Sequence, residues 1–208
     1  MNKRTTFPST AILGLLASLM SSPMPALAQG VKAPSPDPEL RGEWRRAGPG
    51  FACEVVTGNK QQPDPDQLII ACQRLGALSV GVPESALIAS FGEPQRKLDQ
   101  PDNAVGYVYF LGKPQQYPYV VGTVKAGRVI ALQASGEAPV AAASFNQVNL
   151  GDSTDKLRAR FGIAFHVGPS GLANTDLWSY GQWPFSFEVR NERVTSIRIT
   201  DPTAKPTR

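Results

Sequence analysis

Val80–Gly92 and Leu150–Gly162 can be laid over one another residue for residue, at a constant offset of 70 and without a gap. Gly81/Gly151, Leu87/Leu157, Ala89/Ala159, Phe91/Phe161 and Gly92/Gly162 are identical. A chain that restates such a stretch is expected to build two like units, and no other feature constrains its fold as much. Each copy reads as one short helix. Pro83 suits a first helical turn, Asp152 and Asp155 supply a cap and an acidic first turn, and Gly92 and Gly162 fit the left-handed residue that ends a helix. The Leu and the Phe of each copy are four apart, so they share one face and point into a core.

Three strand-like runs follow each helix after a polar loop. In the first copy they are Val105–Leu111, Tyr119–Lys125 and Arg128–Ala134; in the second they are Leu177–Tyr180, Phe185–Arg190 and Arg193–Thr200. Tyr107 and Tyr109 match Trp178 and Tyr180, and Val124, Arg128 and Val129 match Val189, Arg193 and Val194. Phe185, Phe187 and Val189 alternate with Ser186, Glu188 and Arg190, the pattern of a half-buried strand. The expected fold is therefore α+β. Two tandem units, residues 78–135 and 146–201, each hold one short helix and a three-stranded antiparallel meander, with their sheets side by side and residues 136–145 as linker. Before them an N-terminal strand-helix segment, residues 51–77, is expected, with Asp66 capping a helix from Gln67 toward Leu75. Residues 202–208 form a tail.

An apolar-x-Gly step, a short helix ending Phe-Gly, an aromatic-x-Tyr strand and a hairpin with Arg-Val occur in that order over residues 78–134 and 146–200. This order resembles the SmpA/OmlA class, the small lipoprotein of the outer-membrane β-barrel assembly machine, and its relative the β-lactamase inhibitory protein. The resemblance implies a sheet that grips a partner protein. Gln29 stands where the lipoproteins carry their lipid-bearing cysteine, so no lipid anchor is expected.

The N-terminus sets the compartment. Lys3 and Arg4 precede an apolar stretch from Ala11 to Met20, and Ala26-Leu27-Ala28 offers a small-x-small cleavage site. Residues 1–28 read as a signal peptide, too short in its apolar part for the roughly 20 residues a membrane span needs. No transmembrane segment is expected in the mature chain, which is then periplasmic or secreted. Without Lys3 and Arg4, 19 Lys and Arg face 17 Asp and Glu, a net charge near +2 that offers no basic stripe for nucleic acid. Residues 29–50 hold four prolines and read as a flexible or extended lead-in, with Trp44-Arg45-Arg46 either a docking tag or folded back. Cys53 and Cys72 are the only cysteines, and an oxidising compartment favours a bond between them.

Nothing in the chain assembles a reaction. His166 is the one histidine, Ser170 sits outside any nucleophile elbow, and Asp152 with Asp155 is better explained as helix capping. No metal cluster, phosphate loop or dinucleotide pattern is present, so neither cofactor nor metal is expected, and the chain is read as a non-enzyme. A binding face is the better reading. With Phe185, Phe187 and Val189 turned inward, the opposite face shows Glu188 and Arg190, then Arg198 on the next strand, and in the first copy Phe110, Tyr119, Thr123 and Lys125, with Trp183 at the rim. Aromatics and arginines are what interface hot spots favour. The expected role is an exported protein-binding module whose partner is a protein of the cell envelope, in assembly or scaffolding. The alternatives are an inhibitor of a secreted or periplasmic enzyme and a sensor or carrier of a small ligand.

Overall fold

A computed structural model of the chain describes residues 41–55 and 70–203. All of these lie in the second of two compact units, residues 34–208. The expected signal peptide, residues 29–40 of the lead-in, Asp66 with the start of its helix, and residues 204–208 lie outside the described residues.

An N-terminal hairpin pairs β1 (Gly42–Ala47) with β2 (Gly50–Val55), and a small ribbon pairs β3 (Arg74–Leu75) with β4 (Leu78–Ser79). Helix α1 (Glu84–Phe91) then leads into β5 (Arg96–Gln100), β6 (Ala104–Phe110), β7 (Tyr119–Lys125) and β8 (Arg128–Ser135). Helix α2 (Thr154–Phe161) leads into β9 (His166–Pro169), β10 (Asp176–Ser179), β11 (Phe185–Arg190) and β12 (Arg193–Thr200). These last eight strands form one antiparallel sheet in the order β5-β6-β7-β8-β12-β11-β10-β9.

The expected α+β pair of helix-plus-three-stranded units is corrected by this sheet. The structure is mainly β, and four strands follow each helix. The additional strands are β5 and β9, which form the two edges. β5 is Arg-Lys-Leu-Asp-Gln with mostly exposed side chains, and β9 holds a glycine and a proline, so neither shows the alternation by which a strand is recognised. The sheets are not side by side but continuous, because Ala131–Ser135 of β8 pairs with Ser196–Thr200 of β12. That seam is buried on one face by Leu132 opposite Ile199 and Ala134 opposite Ile197, all at most 0% exposed. Aliphatic pairs of this kind stabilise a ladder by excluding water from both sides.

Both helices stop in like ways but start differently, α1 after Pro83 without a side-chain cap. Gly92 and Gly162 follow them with φ of 78° and 77° and ψ of −165° and −163°. The positive φ is cheap only for glycine, although ψ differs from that of a left-handed helical cap. At the start of α2 the cap is Ser153, whose hydroxyl accepts the Lys156 amide at 3.3 Å. Asp152 instead accepts the Asn149 amide at 2.6 Å and pairs with Lys156 at 2.8 Å.

The helices and the N-terminal hairpin cover one face of the sheet. Leu87, Leu157 and Phe161 enter the core from the helices, and Trp44 and Phe51 enter from the hairpin. Part of the lead-in is therefore a strand, β1, and Trp44 is folded back rather than displayed. Asn146 fixes it by accepting the Trp44 amide at 2.8 Å and donating to the Trp44 carbonyl at 2.7 Å. The hairpin is tied to the short helical turn at residues 70–72 by a Cys53–Cys72 disulfide, with Cα atoms 5.9 Å apart.

Helix α1 approaches β7 at a glycine. A Cβ placed on Gly122 would lie 2.6 Å from Leu87 Cδ2, and Leu87 is fully buried with little room to move. Gly122→Ala is expected to cost about 1–3 kcal/mol by overpacking. In a Leu87→Ala background the same change should cost much less, as read by a double-mutant denaturation cycle. Additive costs would mean that the close approach is relieved by other movements.

Candidate binding face

The face of the sheet away from the helices carries two rows that run from apolar and aromatic to polar residues. Ladder register places Phe110 opposite Tyr119, Tyr119 opposite Ser135, Ser135 opposite Ser196, and Ser196 opposite Glu188. Two residues along the strands, the next row runs Val108, Val121, Gln133, Arg198 and Ser186. Successive side chains alternate faces, so these positions oppose the buried Val120, Leu132, Ile197 and Phe187.

The seam between β8 and β12 sits at the middle of the rows. The Ser135 hydroxyl donates to the Ser196 hydroxyl at 3.3 Å, and the Gln133 amide donates to Ser196 at 3.0 Å. Arg198 reaches back to the Gln133 carbonyl oxygen at 3.4 Å. Ser135 and Ser196 are buried although they belong to the outer face. Beside them is a shallow niche, bordered by Tyr117 and Tyr119, by Leu172 from the β9–β10 loop, and by Glu137, Glu188 and Arg190. The two tyrosine rings stack with centroids 5.3 Å apart and planes 13° from parallel.

Charges around the niche are unequally matched. The Arg190 guanidinium donates to the Glu137 carboxylate. Glu188 has no hydrogen bond or ion pair at its carboxylate among the described residues. Burial raises its pKa above the ordinary carboxylate value, and the Arg198 charge opposes this only in part. The Tyr117 phenol is also raised, first by burial and then by Tyr119, with Glu188 and Glu137 adding and Arg190 opposing.

Five of the residues anticipated for a binding face thus come together: Phe110, Tyr119, Glu188, Arg190 and Arg198. Thr123 lies on the same face but four residues beyond Tyr119, roughly 13 Å along the strand. Lys125 stands further still, at the hairpin end of β7 and 3.9 Å from Asp102. Trp183 is displaced from its expected position. Its ring packs edge-on against Trp44 at 5.8 Å and Phe51 at 5.6 Å, under the N-terminal hairpin and across the sheet from the niche. Ser135, Gln133, Glu137 and Leu172 were not foreseen; the alternation of Gln133 and Ser135 with the buried Leu132 and Ala134 was the signal for the first two.

His166, on edge strand β9, is exposed, and Ser170 accepts the Leu172 amide at 3.2 Å in a turn. Asp155 pairs with Arg158 at 3.3 Å on the surface of α2. Among the described residues no three His, Cys, Asp or Glu side chains gather as a metal site would require. Nor, among them, is any helix long and apolar enough to cross a membrane.

No family model matches the chain, and no curated protein matches it. Among solved structures it is similar to a DUF4309 family protein from Bacillus subtilis, with 15% identity, a TM-score of 0.41, and 58% of this chain covering 78% of that one. It is similar to a cysteine-rich secretory protein from Staphylococcus aureus (16% identity, TM-score 0.41, 59% of this chain and 44% of that one). A third is an extracellular protein containing a SCP domain from Bacillus anthracis (13% identity, TM-score 0.43, 70% and 50%). The chain spans half or less of these last two. The resemblance to the SmpA/OmlA class and the β-lactamase inhibitory protein does not hold, since the sheet is a single one of eight strands and no family model matches the chain.

Proposed function

We propose that this chain is an exported, non-enzymatic protein that docks a protein partner on the outer face of its sheet. Export is supported by the charged, apolar and small-residue order of its first 28 residues and by the disulfide, a bond typical of oxidising compartments. The observation that carries the docking reading is the contiguous row from Phe110 and Tyr119 through the serines to Glu188, flanked by Arg198 and Arg190. It joins aromatic area to charges already partly desolvated, the composition of interface hot spots. One face of the sheet is thereby committed to the core and the other to recognition. The proposed partner is an envelope protein.

The test uses the mature protein and its Arg198→Glu variant as parallel baits in envelope extract, followed by affinity measurement with the recovered protein. Arg198 is exposed, donates only a long bond to Gln133 and acts on Glu188 through its charge, so its reversal should lower the melting temperature only slightly. Partner binding should weaken roughly tenfold, about 1.4 kcal/mol. Equal affinity for both baits would remove this face from consideration.

A further inference from the structure

The two copies of the repeat finish the sheet with unlike edges. At the constant offset of 70, Glu93, Gln95 and Lys97 stand where the second copy has Ile163, Phe165 and Val167. The backbone at these places is alike. Gln95 donates its amide to the Val108 carbonyl at 3.1 Å and Phe165 donates to that of Ser179 at 3.0 Å, each just before an edge strand. The fold therefore accepts charged and polar residues here, and the apolar ones of the second copy answer another demand. Ile163 is 79% exposed, Phe165 52% and Val167 49%, three of the five exposed large apolar residues among those described. Phe165 lies against Phe51 and Tyr180, and Val167 stands opposite the buried Trp178, so both are on the helix side of the sheet.

The backbone of β9 is open at its centre. Ser170 donates to Thr175, continuing the register that sets Gly168 opposite Leu177 and His166 opposite Ser179. Antiparallel pairs alternate between bonded and unbonded, so the N–H and C=O of Val167 point away from β10. Pro169 has no N–H to offer, which confines further pairing to the middle of the strand.

We propose that β9 pairs antiparallel with β9 of a second copy, about a twofold axis at Val167. Val167 then meets its own counterpart and exchanges backbone hydrogen bonds with it, and Phe165 lies opposite the partner's Pro169. The two apolar stripes merge on one side of a continuous sheet and leave water together. An identical edge is the matching occupant on charge grounds. Residues 163–169 hold no Lys, Arg, Asp or Glu, and Arg158, stacked over Trp178, is already paired with Asp155. Edge β5 would instead set Arg96, Lys97 and Asp99 against the stripe. Charged edges of that kind resist pairing, so assembly closes at two copies rather than growing into a fibre. The axis is normal to the sheet, which leaves both outer faces on the same side. The pairing itself does not depend on what those faces dock.

The test is sedimentation equilibrium of the mature protein, residues 29–208, up to about 1 mM. A reversible dimer is expected with a midpoint on the order of 0.1 mM, weak in keeping with so short a strand. Val167→Lys installs the residue of the first copy and should weaken the dimer at least roughly tenfold. Ile163→Glu, also borrowed from the first copy and at a more exposed position, decides the matter if Val167→Lys fails to fold. Hydrogen exchange followed by NMR should find the Val167 amide protected in the dimer and open in the monomer. A monomer throughout the range, a dimer indifferent to the substitution, or assembly beyond two copies would overturn the proposal. A monomer that binds phosphatidylglycerol vesicles, and loses them on Ile163→Glu, would overturn it in favour of a membrane surface.

Discussion

Phe161→Ala is expected to lower the unfolding free energy by about 3–5 kcal/mol, the largest loss foreseen from any single side chain here. Phe161 closes α2 and is 1% exposed. Its ring lies parallel to Phe145 at 5.8 Å and is tilted against Phe185 at 5.0 Å, Phe187 at 5.2 Å, Tyr180 at 5.7 Å and Phe51 at 6.0 Å. Those neighbours come from β2, β11 and the turns beside α2 and β10, so no single movement collapses the cavity that truncation leaves. Each lost ring pair adds to the loss of buried area. Phe91, which holds the matching place at the end of α1, is the internal control. It is only half-buried, and Tyr109 at 5.1 Å is its aromatic neighbour. Phe91→Ala should cost less than half as much in urea denaturation. Equal losses from the two substitutions would contradict this assignment of the core, and with a typical total of 5–15 kcal/mol the difference is easily measured.

The inequality of Phe91 and Phe161 shows what local pattern conveys and what it omits. The two helices were legible because an apolar pair four residues apart and a terminal glycine are local signals. β7, β11 and β12 were legible to the residue: β7 and β11 bury alternate side chains against the helices, and β12 does so except at the adjacent Ser196 and Ile197, both buried. The same parity placed Phe110, Tyr119, Glu188, Arg190 and Arg198 on one face. Parity says nothing about which strands become neighbours. The β8–β12 seam joins Ser135 to Ser196 by complementarity of two strands far apart in sequence, and only that pairing brings Tyr119 and Glu188 into one row. Edge strands β5 and β9 were hidden for a different reason: with one side unpaired they carry charges, a glycine or a proline in place of a buried stripe. Trp183 was misplaced because it precedes β11 in a loop, where alternation does not apply. Its aromatic partners, Trp44 and Phe51, belong to a hairpin whose first strand was masked by a proline-rich composition. Ser135 and Ser196 are buried on the outer face, where parity alone would leave small polar residues exposed.

Replacing both cysteines, Cys53→Ala with Cys72→Ala, is expected to cost roughly 3 kcal/mol, the second largest loss. The bonded residues are 19 apart, so the bond restricts the unfolded chain to a loop of moderate size. Its effect in the folded state is positional. The sulfurs pack directly over Gly42: a Cβ there would be 2.6 Å from Cys72 Sγ and 3.1 Å from Cys53 Sγ. Cys53 also stands opposite Trp44 in the hairpin, and Cys72 is 2% exposed. The bond thus clamps β1 and β2 to the remainder of the core, with Trp44 and Phe51 as the apolar contacts beneath it. Two outcomes of its removal differ in denaturant slope. If only unfolded-state entropy changes, the midpoint falls and the slope is preserved. If the hairpin detaches first, Trp44 fluorescence changes ahead of the main transition and the slope falls, because less surface is exposed in the remaining step. The first outcome is expected, since Asn146 holds the Trp44 backbone from both sides independently of the bond. Thiol labelling of the native protein would contradict the bond itself. A loss under roughly 1 kcal/mol would mean that Trp44, Phe51 and Asn146 anchor the hairpin unaided.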